Sequence, residues 1–323
     1  MPPELSVIIS CFYEEQSIDE FYGRLRATLE ATGRRFEVII VNDGSTDGTL
    51  ERLRAIHARD PDVTVVDLFR NSGQACAITA GIERATGANF VFMDSDLQLE
   101  PEELPSLLAA FDRGADVVSG VRRLRKDPLR RRLYSVLANW VMRRVARADL
   151  TDFGCTFKVF RGALIRAHEF GPRRPFNPVY VIRSAGRCCE VPVTHHPRRY
   201  GASGWTLSKL LRFNLENMLG LAVGAFQVVS GAAFVVACLT FARIALAWTF
   251  PGSILAGQPT TGLLLNAMLL ATALLVALVA LVGEYVVRLH GHQYAGPSYV
   301  VREVLAGWAG PRDPTAAAEG PGT

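Results

Sequence analysis

The sequence predicts an α/β protein, with a doubly wound, mostly parallel sheet in its first half and a pair of transmembrane helices in its second. Two observations carry this. The first 120 residues alternate continuous apolar, β-branched runs with helical patterns. Strands buried on both faces and separated by helices imply a parallel sheet. After residue 215 the composition changes, and no charged residue occurs from Asn217 to Ala242 or from Ile244 to Gly283. Both stretches exceed the roughly 20 residues that cross a bilayer.

The strands follow in order as LSVIIS (5–10), FEVIIV (36–41), VTVVDL (63–68), FVFM (90–93) and DVVSG (116–120). Ser17, with Glu20 three residues on, has the spacing of a capping box and opens the first helix. Further helices begin near Thr46, Ser72 and Pro101. Ligands bind at the carboxyl ends of the strands in such sheets. There the chain places YEE (13–15), NDGSTDG (42–48), RNSGQ (70–74), DSDLQ (94–98) and VRRLRK (121–126). Acids, amides, glycines and arginines thus converge on one edge, as a polar site with a metal-binding and an anion-binding part. No GxGxxG follows the first strand and no GxxxxGK[ST] occurs anywhere, which excludes ordinary dinucleotide and P-loop sites.

Asp94 and Asp96 end an apolar strand. Two carboxylates this close disfavour joint ionisation. A divalent cation between them reverses that penalty, and Mg²⁺ or Mn²⁺ prefers such oxygen ligands, often shared with phosphates. Asp96 is expected as the main metal ligand, and Asp94 shares the metal and a nucleotide ribose. The metal would neutralise a departing nucleoside diphosphate. A solvated acidic pair is the plain alternative.

The net charge is only +4, yet ten arginines and lysines stand between Arg122 and Arg147 against one acid, Asp127. Such a block meets phosphate or is a solvated basic helix. Across 128–147, Leu133, Leu137, Trp140, Val141 and Val145 fall on one helical face with arginines at both ends. That suits a helix lying in the membrane interface, or one packed on its own sheet or on a neighbouring subunit. Six cysteines without CxxC spacing suit reduced thiols facing the cytosol, and the N-terminus lacks the regions of a signal peptide. Lys209 and Arg212 precede the apolar pair and Arg288 and Arg302 follow it, so both flanks are expected on the cytosolic side. A buried core hairpin is the competing reading. His195 and His196, beside Arg198 and Arg199, are read as structural, because adjacent strand residues face opposite sides.

The D-x-D after the fourth strand, VNDGSTDGT and RNSGQACAITAG together resemble the GT-A glycosyltransferases of family 2. SDLQLEPEEL, DFGCTFKVFRG (152–162), EVPVTHHPRRYGAS (190–203) and LVGEYVVRL (281–289) narrow the likeness to the polyprenyl-phosphate glycosyltransferases. The bactoprenol glucosyltransferases, the dolichol-phosphate mannose synthases and the undecaprenyl-phosphate formamido-arabinose transferase are of this kind, and the last looks nearest. The resemblance runs from about residue 5 to about residue 305, with its motifs in order.

It implies an inverting transfer of one sugar from a nucleotide-sugar, UDP before GDP, to undecaprenyl or another polyprenyl phosphate, with Mg²⁺ or Mn²⁺. Tyr13, Glu14, Asp43, Gln74 and Asp94 would serve the nucleotide. Asp94, Asp96 and Gln98 would surround the metal and diphosphate. Asp152 would face the donor sugar, as an orienting group more than a base, since a phosphate dianion needs little deprotonation. Arg122, Arg131 and Ser135 would receive the acceptor phosphate, and Arg199 with Ser203 would close over the phosphates. The catalytic acids are then Asp94, Asp96 and Asp152. The resemblance also implies a homo-oligomer such as a tetramer in the cytoplasmic membrane, multi-pass, with the catalytic domain cytosolic.

The chain departs from the family pattern in SCFYEE, where Ser10 and Tyr13 replace the usual proline and asparagine. It departs again in GASGW (201–205), where Gly204 replaces a lysine. The expected organisation is a catalytic domain over 1–205, a juxtamembrane helix over 206–216, two transmembrane helices over 217–290 and a C-terminal segment over 291–323 with a disordered tail. A GDP-mannose-using enzyme and a non-catalytic scaffold of the same fold are the alternatives. A processive synthase lacks support without a Q-x-x-R-W motif. Nucleic-acid binding lacks a recognisable module.

Overall fold

Each of the five runs read as strands is a strand in the computed structural model, which describes residues 2–122, 143, 146–197, 223–249, 259–293 and 297–307. They are β1 (Leu5–Cys11), β2 (Phe36–Asn42), β3 (Val63–Leu68), β4 (Asn89–Asp94) and β5 (Val117–Arg122). Between them run α1 (Ile18–Ala31), α2 (Thr49–Arg59), α3 (Gln74–Ile82) and, after a 3-10 turn at Pro101–Glu103, α4 (Leu104–Asp112). Three more strands complete the sheet, namely β6 (Lys158–Arg161), β7 (Cys188–Val193) and β8 (Val301–Leu305). Two short helices, α5 (Gly162–Arg166) and α6 (Pro178–Ser184), separate β6 from β7.

The strand order is β7-β5-β6-β4-β1-β2-β3-β8. β1 pairs in parallel with both β2 and β4, β2 with β3, and β5 with β7. β6 runs antiparallel between β4 and β5, and β8 antiparallel against β3. The sheet is therefore mixed. Its order reverses at β1, which puts the crevice for a ligand between the carboxyl ends of β1 and β4.

Alternation along the strands builds two apolar layers. Leu5, Val7 and Ile9 join Phe21, Leu25 and Leu107 in one core cluster, where α1 and α4 cover the sheet. On the opposite face Phe92 meets Phe160 and Phe176 at 5.4 and 4.9 Å between ring centroids. There α3 lies so close to β1 that a Cβ on Gly81 would stand 2.5 Å from Ile8 Cγ2. Each fully buried side chain of this size contributes about 1.5–3 kcal/mol. One local expectation fails. Ser17 does cap α1 by position, but makes no capping hydrogen bond. Its hydroxyl donates to the Glu14 carboxylate instead, because Glu14 is buried and requires a donor.

Met1–Ala202 and Gly296–Thr323 form one compact unit, and Ser203–Ala295 forms a second. The second contains α7 (Val223–Thr249) and α8 (Pro259–Gln293), which pack against each other. Among the described residues one segment, Leu264–Gly283 in α8, is long and apolar enough to cross a membrane, with mean hydropathy 2.5. Ser230–Arg243 in α7 is a shorter apolar stretch. The expected pair of spans is thus met by composition in one helix. Arg243 interrupts the apolar run of the other.

Candidate active site

The ends of the strands deliver side chains to the crevice beside β1 and β4. β4 ends at Asp94, and the chain continues with alternating exposure. Asp94, Asp96 and Gln98 are half-buried while Ser95, Leu97 and Leu99 are buried. Leu97 is held at φ +56°, a left-handed conformation rare for a leucine. Backbone strain of this kind clusters at functional sites. Asp94 and Asp96 line the same cleft together with Gln98, Arg122, Thr156 and His195. The paired acids do share one space.

Asp94 is fixed from two sides. Gln74 Nε2, at the start of α3, donates to Oδ1, and Thr156 Oγ1 donates to Oδ2 at 2.5 Å. Burial, and then the charge of Asp96, push the Asp94 carboxyl up to about 6 against these hydrogen bonds. A cation between the two acids would remove that strain, so the donor set fits a divalent metal. Among the described residues no three of His, Cys, Asp and Glu form a ready cage. Such an ion would need substrate oxygens to complete its shell. Gln98 donates its backbone N–H to Asp96 Oδ1 at 3.2 Å and its Nε2 to His196 O at 3.3 Å.

Asp43 follows β2 and lies in a cradle made by the loop after β3. Ser72 N donates to Oδ1 at 2.7 Å, and Gly73 N and Asn71 Nδ2 donate to Oδ2 at 2.9 and 3.0 Å. Burial nonetheless pushes its carboxyl up to about 6. Gly44, at φ +69°, lets this loop approach, since a Cβ there would meet Arg70 C at 2.3 Å. Glu14 is buried, and its backbone N–H donates to Thr49 Oγ1 at 3.0 Å. Tyr13 is half exposed at φ +59°. Its backbone N–H donates to Ser45 Oγ at 3.1 Å, and its ring lies 4.1 Å from that of Phe12.

The far wall comes from β5, β6 and β7. Arg122 grips Asp152 with a two-pronged contact, Nε to Oδ2 and Nη2 to Oδ1, both at 2.7 Å. The two side chains are only 13% and 10% exposed. Burial works against the Arg122 charge, but the Asp152 hydrogen bonds outweigh it and hold the guanidinium above its ordinary range. Glu190 on β7 accepts from the backbone N–H groups of Thr151 and Asp152, at 2.5 and 3.0 Å. Lys158, buried at the start of β6, donates to the carbonyls of Cys155 and Phe153, and burial lowers its affinity for a proton. The loop carrying Asp152 and Thr156 is therefore tied at both ends.

Sequence reasoning named Asp94, Asp96, Gln98, Arg122, Asp152, Asp43, Glu14, Tyr13 and Gln74, and the structure brings all nine to this edge. Arg131, Ser135, Arg199 and Ser203 lie outside the described residues, as do the basic segment over 128–142, Gly204 and the tail. Sequence reasoning missed Thr156, which donates to Asp94, and the cleft position of His195. The two histidines do diverge, His196 pairing with Glu100 at 2.7 Å. The antiparallel turn into β6 is what brings Thr156 to Asp94, and no periodicity in the sequence signals it.

Chemically, this is an acidic pair suited to a cation facing a buried arginine–carboxylate pair, with a hydrogen-bonded loop system alongside. Comparison with known proteins places it. The family model described as glycosyl transferase family 2 matches residues 6–170. A dodecaprenyl-phosphate galacturonate synthase of Rhizobium johnstonii is 31% identical over 94% of this chain and 93% of its own length. An undecaprenyl-phosphate 4-deoxy-4-formamido-L-arabinose transferase of Edwardsiella ictaluri is 33% identical over 93% of this chain and 94% of its own. Among solved structures, glucosyl-3-phosphoglycerate synthase from Mycobacterium tuberculosis, in complex with Mn²⁺, uridine diphosphate and phosphoglyceric acid, superposes with a TM-score of 0.52. It is 18% identical and covers 68% of this chain and 78% of that one, a likeness of fold. The chain belongs to glycosyl transferase family 2, with the GT-A form of the Rossmann-like sheet.

Proposed function

We propose that this family 2 glycosyltransferase moves one sugar from a nucleotide-diphosphate-sugar, a UDP-sugar first, to undecaprenyl phosphate or a related polyprenyl phosphate, inverting the anomeric carbon. The observation that carries this reading is the placement of Asp94 and Asp96 in one cleft with Arg122, whose guanidinium is held by Asp152. Full-length similarity to enzymes named for polyprenyl-phosphate acceptors supports it.

In this reading Asp94 and Asp96, with Gln98 beside them, hold a divalent cation, Mg²⁺ or Mn²⁺. When bound, the cation neutralises charge on the leaving nucleoside diphosphate. Gln74 and Thr156 keep the Asp94 oxygens aimed into the cleft. Glu14, Tyr13 and the Asp43 cradle receive the nucleoside. The acceptor is a phosphate monoester, already mostly a dianion at neutral pH because its second pKa is about 6. It needs cationic positioning rather than a base. Arg122 gives that positioning, and an incoming phosphate competes with Asp152 for its guanidinium. Asp152, as it is released, is turned to the hydroxyls of the donor sugar. Arg131 and Ser135 join Arg122 at the acceptor, and Arg199 with Ser203 cover the phosphates.

Leu264–Gly283 and the apolar part of α7 cross the cytoplasmic membrane as a hairpin, with the catalytic unit cytosolic and the chain assembled as a homo-oligomer. The division into a catalytic domain over 1–205, a juxtamembrane helix, a hairpin over 217–290 and a C-terminal segment belongs to the same proposal.

The test uses detergent-purified enzyme, undecaprenyl phosphate and a panel of UDP- and GDP-sugars, with product followed by mass spectrometry. One donor should give a metal-dependent glycolipid that chelation abolishes and Asp96→Ala reduces at least a hundredfold, the size of losing a main electrostatic contribution. Undiminished turnover in Asp96→Ala, or turnover in chelator, would refute the assignment of the acids.

A further inference from the structure

The catalytic sheet is not finished by the residues that precede the long helices. After α8 the chain returns at residue 296 to the first unit, and β8 adds an edge strand to β3. The register slips between Asp67 and Leu68, where Asp67 faces Glu303 and Leu68 faces Val301. Arg302 stands in that slip. It makes three contacts there. Its Nη1 lies 3.3 Å from Asp67 Oδ2, its Nη2 donates to Phe69 O at 2.8 Å, and its guanidinium sits 5.3 Å from the Phe69 ring centroid.

Asp67 is the notable partner. Its side chain is 2% exposed, and Oδ2 has no hydrogen bond although it is buried. The Arg302 ion pair is the compensation for that oxygen among the described residues. Its other oxygen accepts from Asn42 Nδ2 at 2.8 Å. Asn42, fully buried at the end of β2, accepts in turn from Ser45 N at 3.3 Å. Ser45 Oγ accepts from Tyr13 N at 3.1 Å. A second path leaves Phe69, whose carbonyl Arg302 holds. The next residues, Arg70 to Gly73, form the loop that packs on Gly44 and wraps Asp43. Both paths end on the loops assigned above to the nucleoside.

A single cation on the returning strand therefore holds the starts of two loops, through a buried carboxylate in a low-dielectric setting where an uncompensated charge is costly. We propose that Arg302 is a positioning residue for nucleotide binding, so that donor affinity depends on the segment that follows the long helices. The proposal rests on the reading that Tyr13, Glu14 and Asp43 receive the nucleoside.

The experiment uses the full-length enzyme in detergent. It measures UDP dissociation constants (GDP if the wild type binds that instead), donor and acceptor KM, kcat and thermal midpoint. Arg302→Met keeps the stem over Phe69 and removes the charge. Arg302→Lys keeps a charge for Asp67 but loses the fork to the Phe69 carbonyl. The expected result is a rise of about tenfold in nucleotide dissociation constant and donor KM for Arg302→Met, the order of coupling such networks carry. Acceptor KM and kcat should stay within twofold, and Arg302→Lys should recover part of the loss. Asp67→Asn should weaken binding in the same way, and combining it with Arg302→Met should add less than the product of the two.

A change below threefold in Arg302→Met, whatever its midpoint, would overturn the proposal and leave Arg302 a fastener of the edge strand. If Arg302→Met does not fold, the lysine variant decides by the same threshold on donor KM. Asp43→Ala separates the two levels. Unchanged nucleotide binding in Asp43→Ala would overturn the nucleoside assignment, and this proposal with it. Weakened binding there beside unchanged binding in Arg302→Met would overturn the role of Arg302 alone.

Discussion

Replacing Asp152 by asparagine should destabilise the catalytic unit by about 2–3 kcal/mol. The figure follows from the geometry of its pair. Arg122 donates twice to the carboxylate at 2.7 Å, and neither side chain is more than 13% exposed. Removing one member of a buried ion pair costs about 3–5 kcal/mol, because the other charge stays buried without its counterpart. Asparagine keeps the shape and one acceptor, and one hydrogen bond to a charged donor returns about 1.5 kcal/mol. Its amide, however, opposes the second N–H of Arg122. The cleft also admits some hydration around Arg122, which moves the cost to the lower end. For a unit of roughly 200 residues this is a fall of about 5–10 °C in the unfolding midpoint. Thermal unfolding of the purified enzyme, followed by circular dichroism and by loss of nucleotide binding, would measure it for Asp152→Asn, Arg122→Gln and the double variant. The double variant should lose at least about 1 kcal/mol less than the sum of the singles. A shift below about 2 °C in Asp152→Asn, or strict additivity, would refute the view that this pair is a stabilising unit rather than two independent side chains.

Asp43 should give the protein a pH dependence. Burial raises its carboxyl from 3.8 to about 6, so the folded state favours the protonated form. The stabilisation is complete below about pH 4 and is lost as the pH climbs through about 6, up to about 3 kcal/mol in all. The midpoint of the wild type, taken relative to that of Asp43→Asn, should fall across this window, and a flat difference would contradict the burial argument. Thr156→Val removes the hydroxyl that donates to Asp94 at 2.5 Å without changing volume. The Mn²⁺ concentration for half-maximal activity should rise about tenfold, the usual size for a group that orients a metal ligand. An unchanged requirement would place the metal away from Asp94. A cysteine at Ser253, between the two apolar stretches, should react from outside intact cells with a membrane-impermeant maleimide. Labelling only after lysis would reverse the proposed hairpin.

Much of the fold was legible because burial on both faces leaves a run of apolar residues that needs no context to be read. All five runs became strands, and the strand ends then had to form the ligand edge, since a parallel sheet places its ligands there. Asp94, Asp96 and Asp43 stand at that edge. Two strands that were missed, β6 and β8, are the ones that run antiparallel to their neighbours. VREVL over 301–305 is short, two of its five residues are charged, and it becomes a strand because β3 offers it an unpaired edge. The helical expectation at Ser17 failed for a related reason. A buried carboxylate at Glu14 competes for the same hydroxyl, and spacing alone does not reveal that competition.

The sequence by itself determined the α/β class, the family and which side chains stand at the ligand edge of the sheet, because local periodicity and short motifs are properties of neighbouring residues. Only the tertiary structure decided which groups those side chains face. Arg122 and Asp152 are 30 residues apart, Thr156 and Asp94 are 62 apart, and the paired antiparallel strand β6 brings both contacts about. Arg302 meets Phe69 across 233 positions. Hydrogen bonds and ion pairs act over a few ångströms of space, whatever the separation along the chain, so partners at such distances exist only once the sheet has closed around them.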